Sequence, residues 1–389
     1  MRKNILFIVM LFAYMGCAFA VNPALTISSL NAPLPVQVTH QQLLVYELHF
    51  YNAGPIPLRI KHIEIRDDEN NLLKSLNESQ INANSNLFVN GKHVANGVFE
   101  LAQHTDAFAY IYLKFDKRKS LPANLEHRIW VVSTNADKSR SHVNLAYFDL
   151  AVSKDRIPVL SSPLKGHHWI AEAAISPTSY HRRAILPLDG NYYLAQRYAI
   201  DWVHIKSDGK EVHGNMHDNH HWSAFGYEVL AVDDGLVTEV HDTIKQNNTP
   251  PGLPDPQPNI SDLAGNHVIL KIHQYGKDYY VLYAHMQPNS IRVSVGDKIK
   301  KGQVIGLLGN TGNSSQPHLH MQVSTNNDPL KSDGVPFIFA KTVLEGHATE
   351  IDMDYGQWQP FSPSKDDGPV YRILPAENQV FDFNHDKNS

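Results

Sequence analysis

Two histidines one residue apart, His318-Leu-His320, close a Gly-rich stretch that begins Gly309-Asn-Thr-Gly-Asn. An apolar run follows them, so they are expected to open a strand. Alternate residues of a strand project from one face. The two imidazoles would then stand side by side, about 6–7 Å apart along the strand. That spacing suits one ring on a metal and the other beside it, touching bound substrate or water. A pair of histidines is a weak signal by itself, and its weight comes from what lies upstream.

Upstream, three segments have to bring further groups to the same place. They are Gln196-Arg-Tyr-Ala-Ile-Asp201-Trp202, Gly226-Tyr-Glu-Val-Leu-Ala-Val-Asp-Asp-Gly-Leu-Val237 and Tyr283-Ala-His285-Met286. Strand signals run from Gly166 onward, interspersed with histidines, glycines and aromatics, and no long amphipathic helix interrupts them. The region before residue 157 also reads as all-β. Leu43-Leu-Val-Tyr-Glu-Leu-His-Phe50 and Ile60-Lys-His-Ile-Glu-Ile-Arg66 alternate in part, around an Asn52-Ala-Gly-Pro55 turn. Short strands between polar turns predict an immunoglobulin-like β-sandwich over residues 21–156. Residues 157–165, with two prolines and no period, are expected to be a linker. The second domain is placed at 166–345, and 346–389 is expected to be an irregular polar tail.

Of the 23 histidines in the 389-residue chain, sixteen fall after residue 160, so the chemistry is concentrated in the second domain. The net charge of −5 is not gathered into tails, which argues against nucleic acid as a partner. Arg2 and Lys3, an apolar run from Ile5 to Ala13 and the small-x-small Ala18-Phe19-Ala20 predict a signal peptide over residues 1–20. The run is too short for a stable membrane anchor. Export into the periplasm or the extracellular space is therefore expected. The single cysteine, Cys17, falls inside that segment, so no disulfide framework is expected.

In order, spacing and wording, the segments from about Leu194 to Leu330 resemble the lysostaphin-type (LytM-like) zinc metallopeptidases. The most specific part is Val295-Gly-Asp-Lys-Ile-Lys-Lys-Gly-Gln-Val-Ile-Gly-Leu-Leu-Gly309 leading into His318-Leu-His320. The resemblance implies an antiparallel β-sheet domain with an open groove, of duplicated hybrid motif type. It implies Zn²⁺ held by Asp201 and His320, with His285 and His318 as catalytic groups facing the substrate. Peptide stems of bacterial peptidoglycan are the implied partner, and hydrolysis of their cross-links the implied reaction.

One position departs from that pattern. The family's first motif is His-x-x-x-Asp with both ends on zinc, whereas this chain has Arg197-Tyr-Ala-Ile-Asp201. A guanidinium has no lone pair to give a metal. Either another histidine supplies the third ligand or the site is degenerate, leaving a domain that binds cell wall or activates another hydrolase. His181 is the preferred third ligand, carried by a strand that returns as a hairpin through Gln196. His167-His168 and the histidines of His213-Gly-Asn-Met-His217-Asp-Asn-His220-His221 are the alternatives; His204, three residues beyond Asp201, faces the other side of an extended strand. Arg197 is expected to orient Asp201 or to bind a substrate carboxylate. Residues 247–263, a second insertion, are expected to border the groove.

Overall fold

The structure is a computed structural model, and it describes residues 24–83, 86–89, 92–93, 99–134, 141–247, 258–352, 356–359 and 367–384. The segment read as a signal peptide lies outside these residues. Strands dominate the described part of the chain, with one short α-helix at Glu78–Asn82 and single 3₁₀ turns. No described helix is long and apolar enough to cross a membrane.

The first domain is a pair of antiparallel sheets. One holds Leu25–Ser29, Gln41–Asn52, Asp106–Asp116 and Leu87–Val89; the other holds Ser141–Ala151, Asn124–Thr134, Leu58–Arg66 and Leu72–Asn77. Leu44, Tyr46, Leu48 and Phe50 face Ile63, Ile129 and Val131 across the sandwich core. The alternate residues of the same strand, Leu43 and Val45, are just as buried, in a core shared with the second domain. This explains why the strand reads as a nearly continuous apolar run: both of its faces are covered.

In the second domain a long sheet runs, edge to edge, through Val159–Leu160, Ile338–His347, Gln379–Asp382, Trp169–Glu172, Ile200–His204, Leu319–Ser324, Lys277–Met286, Asn266–Gln274, Gly235–His241 and Lys298–Ile299. The pairings at its centre are antiparallel.

Two boundaries differ from expectation. Residues 157–165 are not a free linker: Val159 and Leu160 pair in parallel with Ile338 and Phe339, and Leu160 and Leu164 are buried. Nor is the segment after 345 an irregular tail. Gln379–Asp382 lies inside the sheet between Ile338–His347 and Trp169–Glu172. Its Phe381 and the following Phe383 pack on Trp202, ring centroids 6.0 and 5.1 Å away. Two buried aromatics outweigh the polar composition around them, since each removes a large apolar area from water.

Candidate metal centre

A row of side chains crosses the middle of the second sheet. Glu172 pairs with Asp201, Asp201 with His320, and His320 with Ala284 on successive antiparallel strands. Directly opposed residues share a face, so Glu172, Asp201 and His320 all project into a cleft of about 790 Å³ that His181, His285 and His318 also line. The row sits on a sheet whose other face is packed with Trp202, Leu319 and Met321. That packing fixes the backbone beneath the polar groups.

Ligand atoms of His181, Asp201 and His320 lie within 4.8 Å of one another, and all three residues are buried. His181 Nδ1 is 3.1 Å from the carbonyl oxygen of Ala173. A carbonyl only accepts, so Nδ1 carries the proton and Nε2 turns a lone pair toward Asp201 Oδ2, 3.3 Å away. His320 is arranged in the opposite sense. Its Nε2 lies 3.1 Å from Gln322 Oε1, and the Gln322 amide nitrogen donates to Pro329 O at 2.9 Å, which fixes the amide's orientation. His320 Nε2 is therefore the donor, and Nδ1 faces Asp201 Oδ1 at 2.8 Å. Asp201 Oδ2 also accepts from the Tyr180 hydroxyl at 2.6 Å.

Two imidazole lone pairs thus converge on one buried carboxylate, and a cation between them, either a proton or a metal ion, has to satisfy all three. Burial pushes the Asp201 carboxyl up, but His181, His318 and His320 outweigh it and hold it well below the usual range. Burial pushes His320 down, and the bond to Asp201 brings it above its ordinary value. Two neutral imidazoles and one carboxylate, each oriented by a second bond, form the donor set that zinc takes with a position left open. The residues present fit the metal.

Gln322 was not foreseen as part of the site, although its place two residues after His320 puts it on the same strand face. Outer partners of this kind set ligand orientation and basicity. Gln322→Ala is expected to weaken zinc binding by about 10–100-fold, read by competition with a chelator, with the fold intact.

His285 and His318 form the opposite wall, with ring centroids 4.7 Å apart. His318 Nδ1 donates to Gln316 O at 2.8 Å, and His285 Nδ1 donates to Thr311 O at 2.7 Å. Both rings consequently keep an unprotonated Nε2. Burial, then the charges of neighbouring histidines, push His285 well down; burial is also what lowers His318, against the pull of Asp201. His285 has a left-handed backbone, φ 63°, at the end of its strand. The Thr311 carbonyl reaches it because Gly312 and Gly265 pass in contact: a Cβ on Gly312 (φ +72°) would lie 2.3 Å from Gly265 N. This is the structural use of the Gly-rich turn.

His181 reaches the metal centre from a 3₁₀ turn, His181–Arg183, rather than from the expected hairpin strand. The next two residues are held by the first domain. The Arg182 guanidinium donates to Ile111 O at 2.7 Å and lies over the rings of Tyr110 and Tyr112, and the Tyr110 hydroxyl donates to Arg183 O at 2.8 Å.

The expectation for Arg197 is not met. Its side chain, 3% exposed, turns away from Asp201 and donates to Glu47 of the sandwich at 2.8–3.2 Å, and to Asp333 and Gly334 O. A guanidinium occupied in this way has no donor to offer a substrate carboxylate. Five other histidines near the sequence candidates are also engaged elsewhere. His213 bonds to Asp208, His220 to Asp218, His221 to Asn215 and His167 to Glu345, while His204 packs between Trp169 and Tyr227. The insertion around residues 213–221 is a polar loop. The second insertion reaches the cleft at its last residue, Leu263.

Residues 216–332 match the model of peptidase family M23. The chain carries an M23 peptidase domain. His285, His318 and His320 fall within the matched stretch; His181 and Asp201 precede it. Among curated proteins, the chain is 39% identical over 69 residues to peptidoglycan DD-endopeptidase ShyA of Vibrio cholerae, covering 18% of this chain and 15% of that protein. It is 43% identical over 56 residues to glycyl-glycine endopeptidase ALE-1 of Staphylococcus capitis, covering 14% and 16%. ShyB of Vibrio cholerae, also named a peptidoglycan DD-endopeptidase, is 29% identical over 117 residues, covering 28% and 27%. The chain thus spans about a quarter or less of the length of these relatives.

Proposed function

We propose that this protein is an exported zinc metalloendopeptidase that hydrolyses peptide cross-links of bacterial peptidoglycan. The observation that carries the reading is the convergence of His181, Asp201 and His320 on one point, with two further histidines turning unprotonated Nε2 atoms into the same cleft. The M23 domain and relatives named as peptidoglycan endopeptidases support the substrate class.

His181 Nε2, His320 Nδ1 and an oxygen of Asp201 would hold the zinc. Bound there, the ion would supply Lewis acidity toward a peptide carbonyl and make water nucleophilic near neutral pH. The protein's own part is positioning and proton transfer. Nε2 of His318, 3.5 Å from Asp201 Oδ1, is the better placed to take a proton from the attacking water, because the carboxylate steadies the imidazolium that results. His285 stands across from it with its Nδ1 proton committed to Thr311 O. Once protonated at Nε2, either ring becomes a donor, able to steady the oxyanion or pass its proton to the leaving amine.

The alternative, a degenerate domain that only binds cell wall, rested on Arg197. With His181 beside Asp201 and Arg197 engaged at the domain contact, that argument loses its support. Incubation of the purified protein with isolated peptidoglycan is expected to release cleaved muropeptides, to stop on chelation and to resume on adding zinc. Intact sacculi after incubation with the zinc-loaded protein would reject the reading.

A further inference from the structure

Glu172 lines the cleft beside the metal centre, yet its carboxylate has no partner. It is 8% exposed, and among the described residues it makes no hydrogen bond or ion pair. The charged groups acting on it, Glu211, Asp201, Glu350 and Glu377, are all carboxylates. A buried anion surrounded by anions is costly unless something bonds to it. The two buried acids among these are already engaged. Asp201 holds Tyr180 and the two histidines, while Glu211 accepts from Trp358 Nε1 at 2.6 Å and from Gln316 at 3.3 Å. Of the two acids that line the cleft, Glu172 is the one whose acceptors are unused.

Its position in the sheet says which part of a ligand would meet it. Strands lie about 4.8 Å apart. Glu172 is one strand beyond Asp201, two beyond His320 and three beyond the strand that carries His285. It therefore flanks the metal ligands on the side away from His285. Its carboxylate is not one of the ligand groups that lie within 4.8 Å of one another, which among the described residues are His181, Asp201 and His320. A peptide held with its reacting carbonyl over the metal ligands would reach Glu172 with the side chain or free end of an adjoining residue.

We propose that Glu172 is a specificity-determining subsite that binds a primary ammonium on the substrate peptide, such as the free amine of a diamino acid next to the scissile bond. The inference rests on the peptidase reading of the same cleft. An ammonium offers three donors and a full positive charge. It matches what the site lacks, and a charge-assisted bond to a buried carboxylate discriminates strongly against a neutral analogue.

The test compares two cross-linked muropeptides that differ only in whether that amine is free or N-acetylated. Equilibrium binding to the metal-free protein is measured alongside KM and kcat for the zinc-loaded protein. Wild type is expected to bind the free amine about tenfold or more tightly than the acetylated peptide. Glu172→Gln is expected to bind the two alike and to keep a single zinc per chain, while Glu172→Asp retains part of the preference. Equal affinity of wild type for the two peptides, including no measurable binding of either, overturns the proposal whether or not the variants fold. It is overturned equally if Glu172→Gln keeps the preference, lowers kcat on both peptides alike, or abolishes a second bound zinc. Should binding discriminate while neither peptide is cleaved, the peptidase reading fails and the ammonium subsite stands.

Discussion

His318→Ala is expected to keep its zinc and its fold while hydrolysis of cross-linked muropeptides falls by about 10²–10⁴-fold. The ring is not among the three groups whose ligand atoms converge, so removing it leaves His181, Asp201 and His320 in place. What disappears is the Nε2 lone pair, which Gln316 O holds in position by accepting the Nδ1 proton at 2.8 Å. His285→Ala should lose activity comparably. The double variant should be little worse than either single one, because residues acting as a unit are strongly non-additive. The measurement is a rate assay at fixed zinc loading, with metal content determined on the same samples. Loss of zinc from His318→Ala would move that histidine from proton transfer into the ligand set.

The second large effect concerns the contact between domains. Glu47→Ala leaves Arg197 buried with only Asp333 and a carbonyl as partners. Removing one side of a buried ion pair typically costs about 3–5 kcal/mol, since the other charge remains out of water. For a chain of this size that lowers Tm by roughly 4–6 °C. Arg197 lies four residues before Asp201, and Arg182 and Arg183, next to His181, are held by Ile111 and Tyr110 of the same sandwich. Loosening the contact should therefore weaken zinc binding as well as stability, and a chelator titration of Glu47→Ala reads the two together. Unchanged Tm and unchanged zinc affinity would mean that the sandwich does not brace the site.

The parts of the site written within one strand were legible in the sequence. His318-Leu-His320 puts two imidazoles on one face by strand periodicity, whereas His285 and Asp201 rest on the resemblance to lysostaphin-type metallopeptidases. His181 was found because the chain needed a third nitrogen nearby, but its path was not: a 3₁₀ turn braced by another domain leaves no periodic trace. Arg197 was misread because its partner Glu47 lies 150 residues away, a distance over which local pattern carries nothing. Gln379–Asp382 was read as tail because a four-residue strand between polar segments offers too few positions for alternation to register. In the run Trp169-Ile-Ala-Glu172-Ala-Ala nothing in the sequence marks Glu172 out. Only its register beside Asp201, and the lack of any partner, distinguish it from a surface acid.

Elemental analysis of zinc in wild type, His181→Ala and His204→Ala tests the metal centre most directly. About one zinc per chain is predicted for wild type and for His204→Ala, and a small fraction of that for a folded His181→Ala. A His181→Ala protein that keeps its full zinc, or a folded wild type that takes up none, would contradict the account.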